Sequence, residues 1–494
     1  MNRSLIVKIL GIILLIESFF MIPSLAISLY MQDGSSIGFI ITIILLIIVG
    51  ALTRFIETKH RTLAPADGLV IVTYAWILVS IFGSLPLIID MNMSFPDAFF
   101  EIVSGFTTTG ASAINNIESF PKSVILWRSI THWIGGMGIL VFTVSLLPKL
   151  GVGGFQIFKR ESPGPVKGKI EAKTSDTAKK LYIIYVVITI LLFLCLKIFG
   201  MNVFDALVHT LGVVGTGGFS SKNTSIMGYS TPIIFTMSFF MIVCGNNFSI
   251  YYSLYRRRFN EIIKNEELRL YLFITIAAIL LISIDLYLKG VASPFISFRD
   301  ATFQVTSIES TSGFVSTDYD LWSSFSKYIL FVLMFIGSCA GSTAGGLKVI
   351  RIVVLFKSIK REIKRVIHPR AILPISLNGR ILSEELVQGI NGFFGIYMIV
   401  FVFSVGLITL SGEDLITSMS SVVTMLSNVG PGFASVGPTK NFYYFNDFFK
   451  IYFAFLMLLG RLEFFTVLAI FSRKKILKRR YWNENIDNRS RTRR

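Results

Sequence analysis

Four short strings rich in glycine and hydroxyl-bearing residues recur along this 494-residue chain. They are Thr107-Thr108-Thr109-Gly110, Gly215-Thr216-Gly217-Gly218, Ser310-Thr311-Ser312-Gly313 and Val429-Gly430-Pro431-Gly432. Glycine adopts backbone conformations that a Cβ would forbid, so such a string can turn its carbonyl oxygens toward one axis. Rings of backbone carbonyls replace the hydration shell of a permeating cation in channel filters. If the four strings meet, they form a binding site for a dehydrated monovalent cation.

A half-length helix is predicted to lead into each string. Asp97, Asp205 and Asp300 each stand 13 residues before the final glycine of their string. Aspartate is a good N-cap and complements the positive end of the helix dipole. We therefore expect helices of about ten residues, hence ~15 Å or half a bilayer, between cap and string. In the fourth repeat the spacing is longer, and the candidate caps are Asp414 and Ser418.

The composition requires that these elements lie in a membrane. The chain is 53% hydrophobic, 15% charged and has a mean hydropathy of +0.68, whereas soluble domains carry about 25% charged residues. Several apolar runs reach the roughly 20 residues that a spanning helix needs. Examples are Leu5–Tyr30, Leu69–Ile89, Val124–Leu147, Leu181–Phe199 and Ile390–Leu410. We predict an all-α integral membrane protein with ten transmembrane helices.

The net charge of +18 is distributed by topology. Basic residues cluster in five stretches, separated by polar stretches that are poor in Lys and Arg, and this alternation follows the positive-inside rule. The basic stretches are Arg54–Arg61, Lys149–Lys180, Arg256–Arg269, Lys348–Arg380 and Arg473–Arg494. The pattern predicts that both termini are cytoplasmic and that the strings face outside. It argues against nucleic-acid binding, and the basic tail is expected to contact anionic lipid or a cytosolic partner.

The strings and the charge pattern divide the chain into repeats. Two N-terminal transmembrane helices (1–66) precede pore repeats at 67–175, 176–266, 267–380 and 381–475, and a basic tail (476–494) follows. Each repeat is predicted as a spanning helix, a re-entrant half-helix, a glycine loop and a second spanning helix, because non-helical backbone at membrane depth must be buried by protein or line water. Secondary transporters built on inverted repeats fit less well, because all four loops enter from the same side.

Two further features lie in the predicted path of the ion. Arg461 stands within the last apolar segment, where an arginine costs ~2.5–3.5 kcal/mol on insertion scales unless it faces a cavity or a partner. It either pairs with a buried carboxylate or places a fixed positive charge beside the pore. The string Gly341-Ser342-Thr343-Ala344-Gly345-Gly346 interrupts the second helix of the third repeat and is predicted to be a gate. Glu101 is expected to be a structural hydrogen-bond partner behind the filter rather than an ion ligand, and His132 a satisfied packing residue rather than a proton carrier.

No Walker loop, HExxH or paired Cys-x-x-Cys motif is present, so the chain is not expected to be an enzyme. It resembles the Trk/Ktr/HKT superfamily of potassium transporters over nearly its whole length, and most closely the bacterial TrkH/TrkG membrane subunits. Besides the four strings, the resemblance rests on Trp127-Arg128, Trp133-Ile134-Gly135-Gly136-Met137-Gly138, Asp176-Thr177-Ala178-Lys179-Lys180-Leu181-Tyr182 and Ser427-Asn428-Val429-Gly430-Pro431-Gly432-Phe433.

The resemblance implies potassium as the transported ion in a bacterial cytoplasmic membrane. Gly110, Gly218, Gly313 and Gly432 would be the filter glycines, Arg461 the arginine below the filter, and Gly341–Gly346 the gating loop, with Gly341, Gly345 and Gly346 as its flexible points. Plant relatives with a serine at the first filter glycine transport sodium, so Gly110 favours potassium. Homodimers and a cytosolic TrkA-like nucleotide-binding ring are implied as partners. Passive flux and symport with protons or sodium both remain compatible with the sequence.

Overall fold

The computed structural model describes residues 2–57, 65–138 and 174–464. The predicted tail (476–494) and most of the basic loop that begins at Lys149 lie outside the described residues. The α-helices, numbered in chain order, are α1 Arg3–Met31, α2 Ser36–Leu52, α3 Pro65–Gly83, α4 Leu85–Met91, α5 Phe95–Phe106, α6 Lys122–Met137, α7 Thr174–Ile198, α8 Val203–Gly215, α9 Thr231–Gly245, α10 Phe248–Tyr255, α11 Phe259–Ile263, α12 Glu266–Leu288, α13 Pro294–Glu309, α14 Ser324–Ile336, α15 Val349–Ile367, α16 Glu384–Thr409, α17 Leu415–Ser427 and α18 Asp447–Leu462. A two-residue antiparallel hairpin, β1 Ser376–Leu377 with β2 Arg380–Ile381, precedes α16.

Long apolar helices make this a multi-pass membrane protein. In the described part of the chain, six helical segments are long and apolar enough to cross a bilayer, and a seventh is counted if the bent pair α9–α10 is one span. The helices α8, α14 and α17 are apolar but shorter. The count of ten crossings therefore stays a prediction.

The N-terminal pair α1 and α2 packs together and against the first repeat. At the turn between them, the Asp33 carboxylate accepts hydrogen bonds from the hydroxyls of Ser28, Ser35 and Ser123 at 2.7–2.8 Å. Ser123 belongs to α6, so this carboxylate fixes the turn to the second helix of the first repeat. Beneath it, the Asp90 carboxylate accepts the Gly38 amide at 2.8 Å, which fixes α2 to the end of α4.

Four helices of 12 to 16 residues, α5, α8, α13 and α17, each end within two residues of the start of a predicted string. Their lengths agree with the half-helix prediction, but their caps differ from it. Ser94, Asn202, Ser293 and Asp414 occupy the N-cap positions. The prediction was right for Asp414, where a hydrogen bond from the Thr417 side chain lowers the pKa of the carboxyl.

The prediction was wrong for the other three aspartates. Asp97 and Asp205 lie at the third helical position, where the preceding polar residue caps the helix and the aspartate bonds back to it, as in a capping box. The Ser94 hydroxyl, for example, bonds to Asp97 Oδ2 at 2.8 Å, and Asn202 Oδ1 accepts the Asp205 amide at 2.8 Å. Asp300 lies inside α13, which begins six residues earlier at Pro294.

The helices that follow the strings are interrupted at their far ends. The bend between α9 and α10 is 91°. Residues 337–348 separate α14 from α15. The predicted continuous run Val124–Leu147 is helical as α6 only to Met137, and its residues after 138 lie outside the described part. Backbone of this kind needs surrounding protein or a water-filled cavity at membrane depth, and here it collects directly beneath the strings.

Candidate functional site

The four strings share one backbone pattern, which fixes how they correspond. In each, an amide bonds to the carbonyl five residues earlier and so closes the end of the half-helix. These bonds run from Thr109 to Ser104, Gly217 to Gly212, Ser312 to Ser307 and Val429 to Thr424, at 2.8–2.9 Å. The residue before each donor has positive φ: Thr108, Thr216, Thr311 and Asn428.

This pattern moves the register of the fourth string. Gly430, not Gly432, corresponds to Gly110, Gly218 and Gly313, so the equivalent string is Ser427 to Gly430. The alignment on final glycines was therefore wrong by two residues in this repeat. In the new register, the N-caps Ser94, Asn202 and Asp414 all stand 16 residues before the corresponding glycine.

Gly432 and its neighbour Pro431 continue beyond the fourth string. The Gly432 amide donates to the Val436 carbonyl at 2.7 Å, and the Gly432 carbonyl accepts the Tyr319 hydroxyl at 3.0 Å. The nearest neighbours of a Cβ at Gly432 would be side-chain atoms of Ser420 and Val436, and none belongs to another string. Gly432 thus holds the chain that leaves the fourth string.

The first three strings contact one another in chain order. A Cβ built on Gly110 would lie 2.5 Å from the Gly218 nitrogen, and one built on Gly218 would lie 2.7 Å from the Ser312 oxygen. Real Cβ atoms essentially never come this close to backbone, so each string needs glycine where the next one passes. The close approach links the first string to the second and the second to the third.

The fourth string closes the circle. A Cβ on Gly313 would overlap the Val429 carbonyl oxygen, and a Cβ on Gly430 would lie 2.6 Å from the Thr109 oxygen. Each string therefore touches the next, and the fourth touches the first. The side chains agree with this closure, because Asn428 Nδ2 donates to Thr109 Oγ1 at 3.0 Å.

The electrostatics of this ring favour a cation. All four half-helices lead into the ring from their C-terminal ends, which carry the negative end of the helix dipole. Within the strings, hydroxyl pairs bond to each other, as Thr107 with Thr109 and Ser310 with Ser312, both at 2.8 Å. Hydroxyls paired in this way do not compete for the carbonyls of the first and third strings, whereas in the second string the Thr216 hydroxyl donates to the Gly215 carbonyl at 2.6 Å.

A buried ion pair braces the ring from behind. Glu101 on α5 accepts the Arg128 Nε at 2.7 Å and the Ala113 amide at 2.8 Å, and both side chains are almost fully buried. The Arg128 guanidinium lies 3.9 Å from the ring centre of Phe219, the residue that follows the second string. The pair joins the first two repeats, which confirms the structural role predicted for Glu101.

His132 provides a second brace between the same repeats. Its Nδ1 lies 2.7 Å from the Gly105 carbonyl, and its Nε2 accepts the Phe219 amide at 3.2 Å. One nitrogen donates and the other accepts, which is the bonding of a neutral imidazole. The residue is a structural partner, as predicted.

One face of the ring opens into a cavity of about 120 Å³. All four corresponding glycines line it, and Gly432 does not. Lys222, Lys440 and the amide side chains of Asn115, Asn223 and Asn441 line its outer part. The loops that line this cavity belong to the stretches that are poor in Lys and Arg and are predicted to face outside.

The interrupted segment 337–348 covers the opposite face of the ring. The Gly345 amide donates to Thr311 Oγ1 at 2.8 Å, and a Cβ on Gly345 would overlap the Ser427 carbonyl. The Gly341 carbonyl accepts the Phe248 amide at 3.1 Å, where α10 begins. Gly341 and Gly346 have positive φ, at 76° each. The predicted gating string thus lies directly under the third and fourth strings.

Arg461 connects this segment to the ring. Its guanidinium donates to the carbonyls of Thr343 at 2.8 Å, Gly135 at 2.5 Å and Gly136 at 3.0 Å. A longer contact of 3.4 Å reaches the Thr108 hydroxyl. The side chain is only partly buried, so its positive charge remains next to the space beneath the first string.

Two residues of this site were not identified from the sequence. Glu267, at the start of α12, accepts the amides of Ala340 at 2.6 Å and Ile350 at 3.2 Å through one carboxylate oxygen, so it joins the first part of the interrupted segment to the start of α15. In the sequence, an acidic residue in the first turn of a helix is explained by the helix dipole alone. Nothing in the sequence therefore indicates its contact with the interrupted segment. Asn428 could have been found, because asparagine tolerates the left-handed conformation of its string.

In the described ranges, no group of three or more His, Cys, Asp or Glu side chains could hold a metal ion. The four strings consist of glycine, hydroxyl-bearing and apolar residues together with Asn428, so the groups that they can offer to a cation are neutral oxygens. Neutral oxygens are typical of sites for monovalent cations, whereas protein sites for divalent cations usually include carboxylates.

Comparison with known proteins gives a consistent result. The chain matches the TrkH family, described as a cation transport protein, over residues 35–482. It is 36% identical to the Trk system potassium uptake protein TrkH of Escherichia coli K12, covering 96% of this chain and 99% of that protein. It is 33% identical to TrkG of the same organism, covering 94% and 95%. The crystal structure of the potassium transporter TrkH from Vibrio parahaemolyticus superposes with a TM-score of 0.84 at 34% identity, covering 95% of this chain and 98% of that one.

Proposed function

Because the chain belongs to the TrkH family of cation transport proteins, we propose that it takes up potassium across the bacterial cytoplasmic membrane along the axis of the four strings. Relatives that match it over nearly their full length are named potassium uptake proteins of the Trk system, and they are transporters rather than enzymes. The observation that carries the proposal is the closed circle of contacts, in which each glycine string touches the next and the fourth touches the first.

The selectivity filter in this proposal consists of the carbonyls of Thr107–Gly110, Gly215–Gly218, Ser310–Gly313 and Ser427–Gly430. Glycine at the fourth position lets adjacent strings approach closely enough for their carbonyls to share one ion. The four strings differ in sequence, and each supplies a single turn. We therefore expect the protein to prefer K⁺ over Na⁺, with a lower selectivity than a channel built from four identical subunits.

The gate in this proposal is the segment 337–348, with Arg461 as its latch. The contacts that support it run from Gly345 to Thr311 and from Arg461 to the Thr343 carbonyl. While these contacts hold, the segment occupies the space under the filter. The guanidinium charge adds an electrostatic barrier to a cation in the same space, at about 1–4 kcal/mol for an ion 4 Å away, depending on the local dielectric constant.

The proposed topology has ten crossings with both termini in the cytoplasm, and the protein assembles as a homodimer. Its basic cytoplasmic loops would receive a TrkA-like nucleotide-binding ring that controls the gate. The support is the positive-inside pattern and the membership of the relatives in a named Trk system. If purified full-length protein captures no such ring, and its flux does not respond to nucleotide with the ring added, this part of the proposal fails.

The transport proposal is tested by reconstitution. Purified full-length protein in liposomes loaded with KCl, diluted into a potassium-free medium, should accumulate ⁸⁶Rb⁺ under the outward potassium gradient alone. Uptake that needs an imposed proton or sodium gradient would instead support symport. Uptake no greater than in protein-free liposomes would contradict the proposal.

A further inference from the structure

A groove of about 780 Å³ lies between α7 and the bent pair α9–α10, away from the ring of strings. Its walls are mostly apolar, and its lining includes Ile184, Val187 and Val243. Val187 is 48% exposed, so in the membrane the groove opens sideways toward the lipid. It belongs neither to the proposed filter nor to the proposed gate.

Two cationic side chains meet at one end of the groove. Lys180 Nζ lies 3.2 Å from the Tyr252 hydroxyl, and Arg256 Nε lies 3.0 Å from the same oxygen. Both side chains line the groove together with Tyr252. Because both side chains are cationic donors held against one oxygen, an anionic oxygen that reaches this end can accept charge-assisted hydrogen bonds from both.

The apolar wall continues from these cations toward the middle of the membrane. Val187 lies seven residues beyond Lys180 on α7, which is ~10 Å along the helix axis. This arrangement places the positive charge at the membrane surface and aliphatic side chains below it. A ligand that fits must carry an anionic group at one end and a hydrocarbon chain at the other.

The orientation of α10 defines the depth of the charged end. The 91° bend after α9 turns α10 away from the spanning direction, and α10 leads into the basic stretch Arg256–Arg269. Tyr255 at its end is 82% exposed. Tyrosine is enriched at the level of lipid headgroups, which agrees with a helix that lies along the membrane surface.

We propose that this groove binds one anionic phospholipid of the leaflet that contacts the basic loops. Its phosphate lies against Lys180, Tyr252 and Arg256, and one acyl chain lies along Ile184 and Val187. Charge complementarity selects the anionic headgroup, and the apolar wall selects a lipid over free phosphate. The lipid joins α7 to the α9–α10 bend, so its loss should loosen the second repeat.

Native mass spectrometry and thermal melting of the full-length protein test the proposal. Phosphatidylglycerol should remain bound and raise the melting temperature, whereas phosphatidylcholine with the same acyl chains should do so much less. The double substitution Lys180→Gln with Arg256→Gln should weaken phosphatidylglycerol binding at least about tenfold, which is about 1.4 kcal/mol. The matched control, Lys360→Gln with Lys364→Gln on the exposed face of α15, should leave binding unchanged.

A second pair of variants tests the acyl-chain wall without changing charge. Val187→Trp should fill the groove and reduce binding several-fold, whereas Ile190→Trp, exposed on the same helix but outside the groove, should not. Inorganic phosphate at millimolar concentration should not displace the lipid. Equal stabilisation by both lipids, displacement by phosphate, or unchanged binding in the Lys180 and Arg256 double variant would overturn the proposal, as would a cytosolic protein or second copy that occupies the groove instead.

Discussion

Substitution of Gly110 by serine perturbs the ring in two ways. Gly110 has φ of +80°, which costs an L residue ~1–2 kcal/mol. The new Cβ would also lie 2.5 Å from the Gly218 nitrogen and 2.8 Å from its Cα. Neither atom belongs to a flexible side chain, so the second string must move, at a cost of ~1–3 kcal/mol by analogy with overpacked cores.

We expect Gly110→Ser to lower stability by ~2–5 kcal/mol in total and to relax the preference for K⁺ over Na⁺. A change of ~1.4 kcal/mol in the relative binding of the two ions alters their ratio tenfold. In the proposed filter the carbonyls of adjacent strings share the ion, so we expect displacement of one string in four to produce a change of this size.

Two glycines separate these contributions. Gly412 has φ of +90° and open space around it, so Gly412→Ser carries only the conformational cost. Gly218 is not in the positive-φ region, but its Cβ would lie 2.7 Å from the Ser312 oxygen, so Gly218→Ser carries only the steric cost. The thermal stability of each purified variant and the Na⁺ inhibition of ⁸⁶Rb⁺ uptake should be measured together.

Gly218→Ser should lose selectivity as Gly110→Ser does, and Gly412→Ser should keep it despite lower stability. If Gly110→Ser folds and transports with the selectivity of the unmodified chain, the first string does not contribute to selectivity. If Gly412→Ser loses selectivity to the same extent, global destabilisation explains the effect of Gly110→Ser, and displacement of the second string does not.

Three further predictions concern the register and the gate. Gly430→Ala should abolish selective ⁸⁶Rb⁺ uptake, because Gly430 has φ of +102° and its new Cβ would meet backbone atoms of the first string. Gly432→Ala should retain it, because the nearest neighbours of that Cβ are side-chain atoms; loss of selectivity in Gly432→Ala but not in Gly430→Ala would show that Gly432 is the filter glycine. Arg461→Ala should raise flux per folded protein several-fold, because both the latch and the charge are lost; lower flux with poor folding would show that the arginine is only structural. Glu267→Ala should raise flux, because it leaves two amides without their acceptor at a cost of ~1–3 kcal/mol each. Glu267→Gln, which keeps an acceptor oxygen, and Glu266→Ala should not raise flux; equal flux in all three variants would show that Glu267 does not hold the gate.

The membrane class and the half-helices could be predicted because their signals are local. Apolar runs, basic stretches and glycine strings each depend on a few consecutive residues. The caps failed because serine and asparagine precede Asp97 and Asp205 by three residues and bond to their amides. In a capping box a polar residue and an acid three positions later both lie near the helix start. The sequence prediction chose the aspartate as the N-cap, whereas the preceding serine or asparagine occupies that position.

The register of the fourth string failed for a different reason. Val429-Gly430-Pro431-Gly432 offers two glycines, and the choice between them depends on the folded backbone, in particular on the bond from the Val429 amide to the Thr424 carbonyl and on the positive φ of Asn428. The contacts of Arg461 and Glu267 could not be predicted from the sequence, because each joins residues more than 70 positions apart. Such contacts follow from how the repeats surround the axis, which no single segment encodes.

The most direct test of the account is ion competition in proteoliposomes containing only the purified full-length chain. ⁸⁶Rb⁺ uptake is measured with increasing external K⁺ or Na⁺ at constant ionic strength. We expect strong inhibition by K⁺ and weak inhibition by Na⁺, with the difference reduced in Gly110→Ser and Gly430→Ala. Equal inhibition by the two ions in the unmodified protein would contradict a potassium-selective filter formed by the four strings.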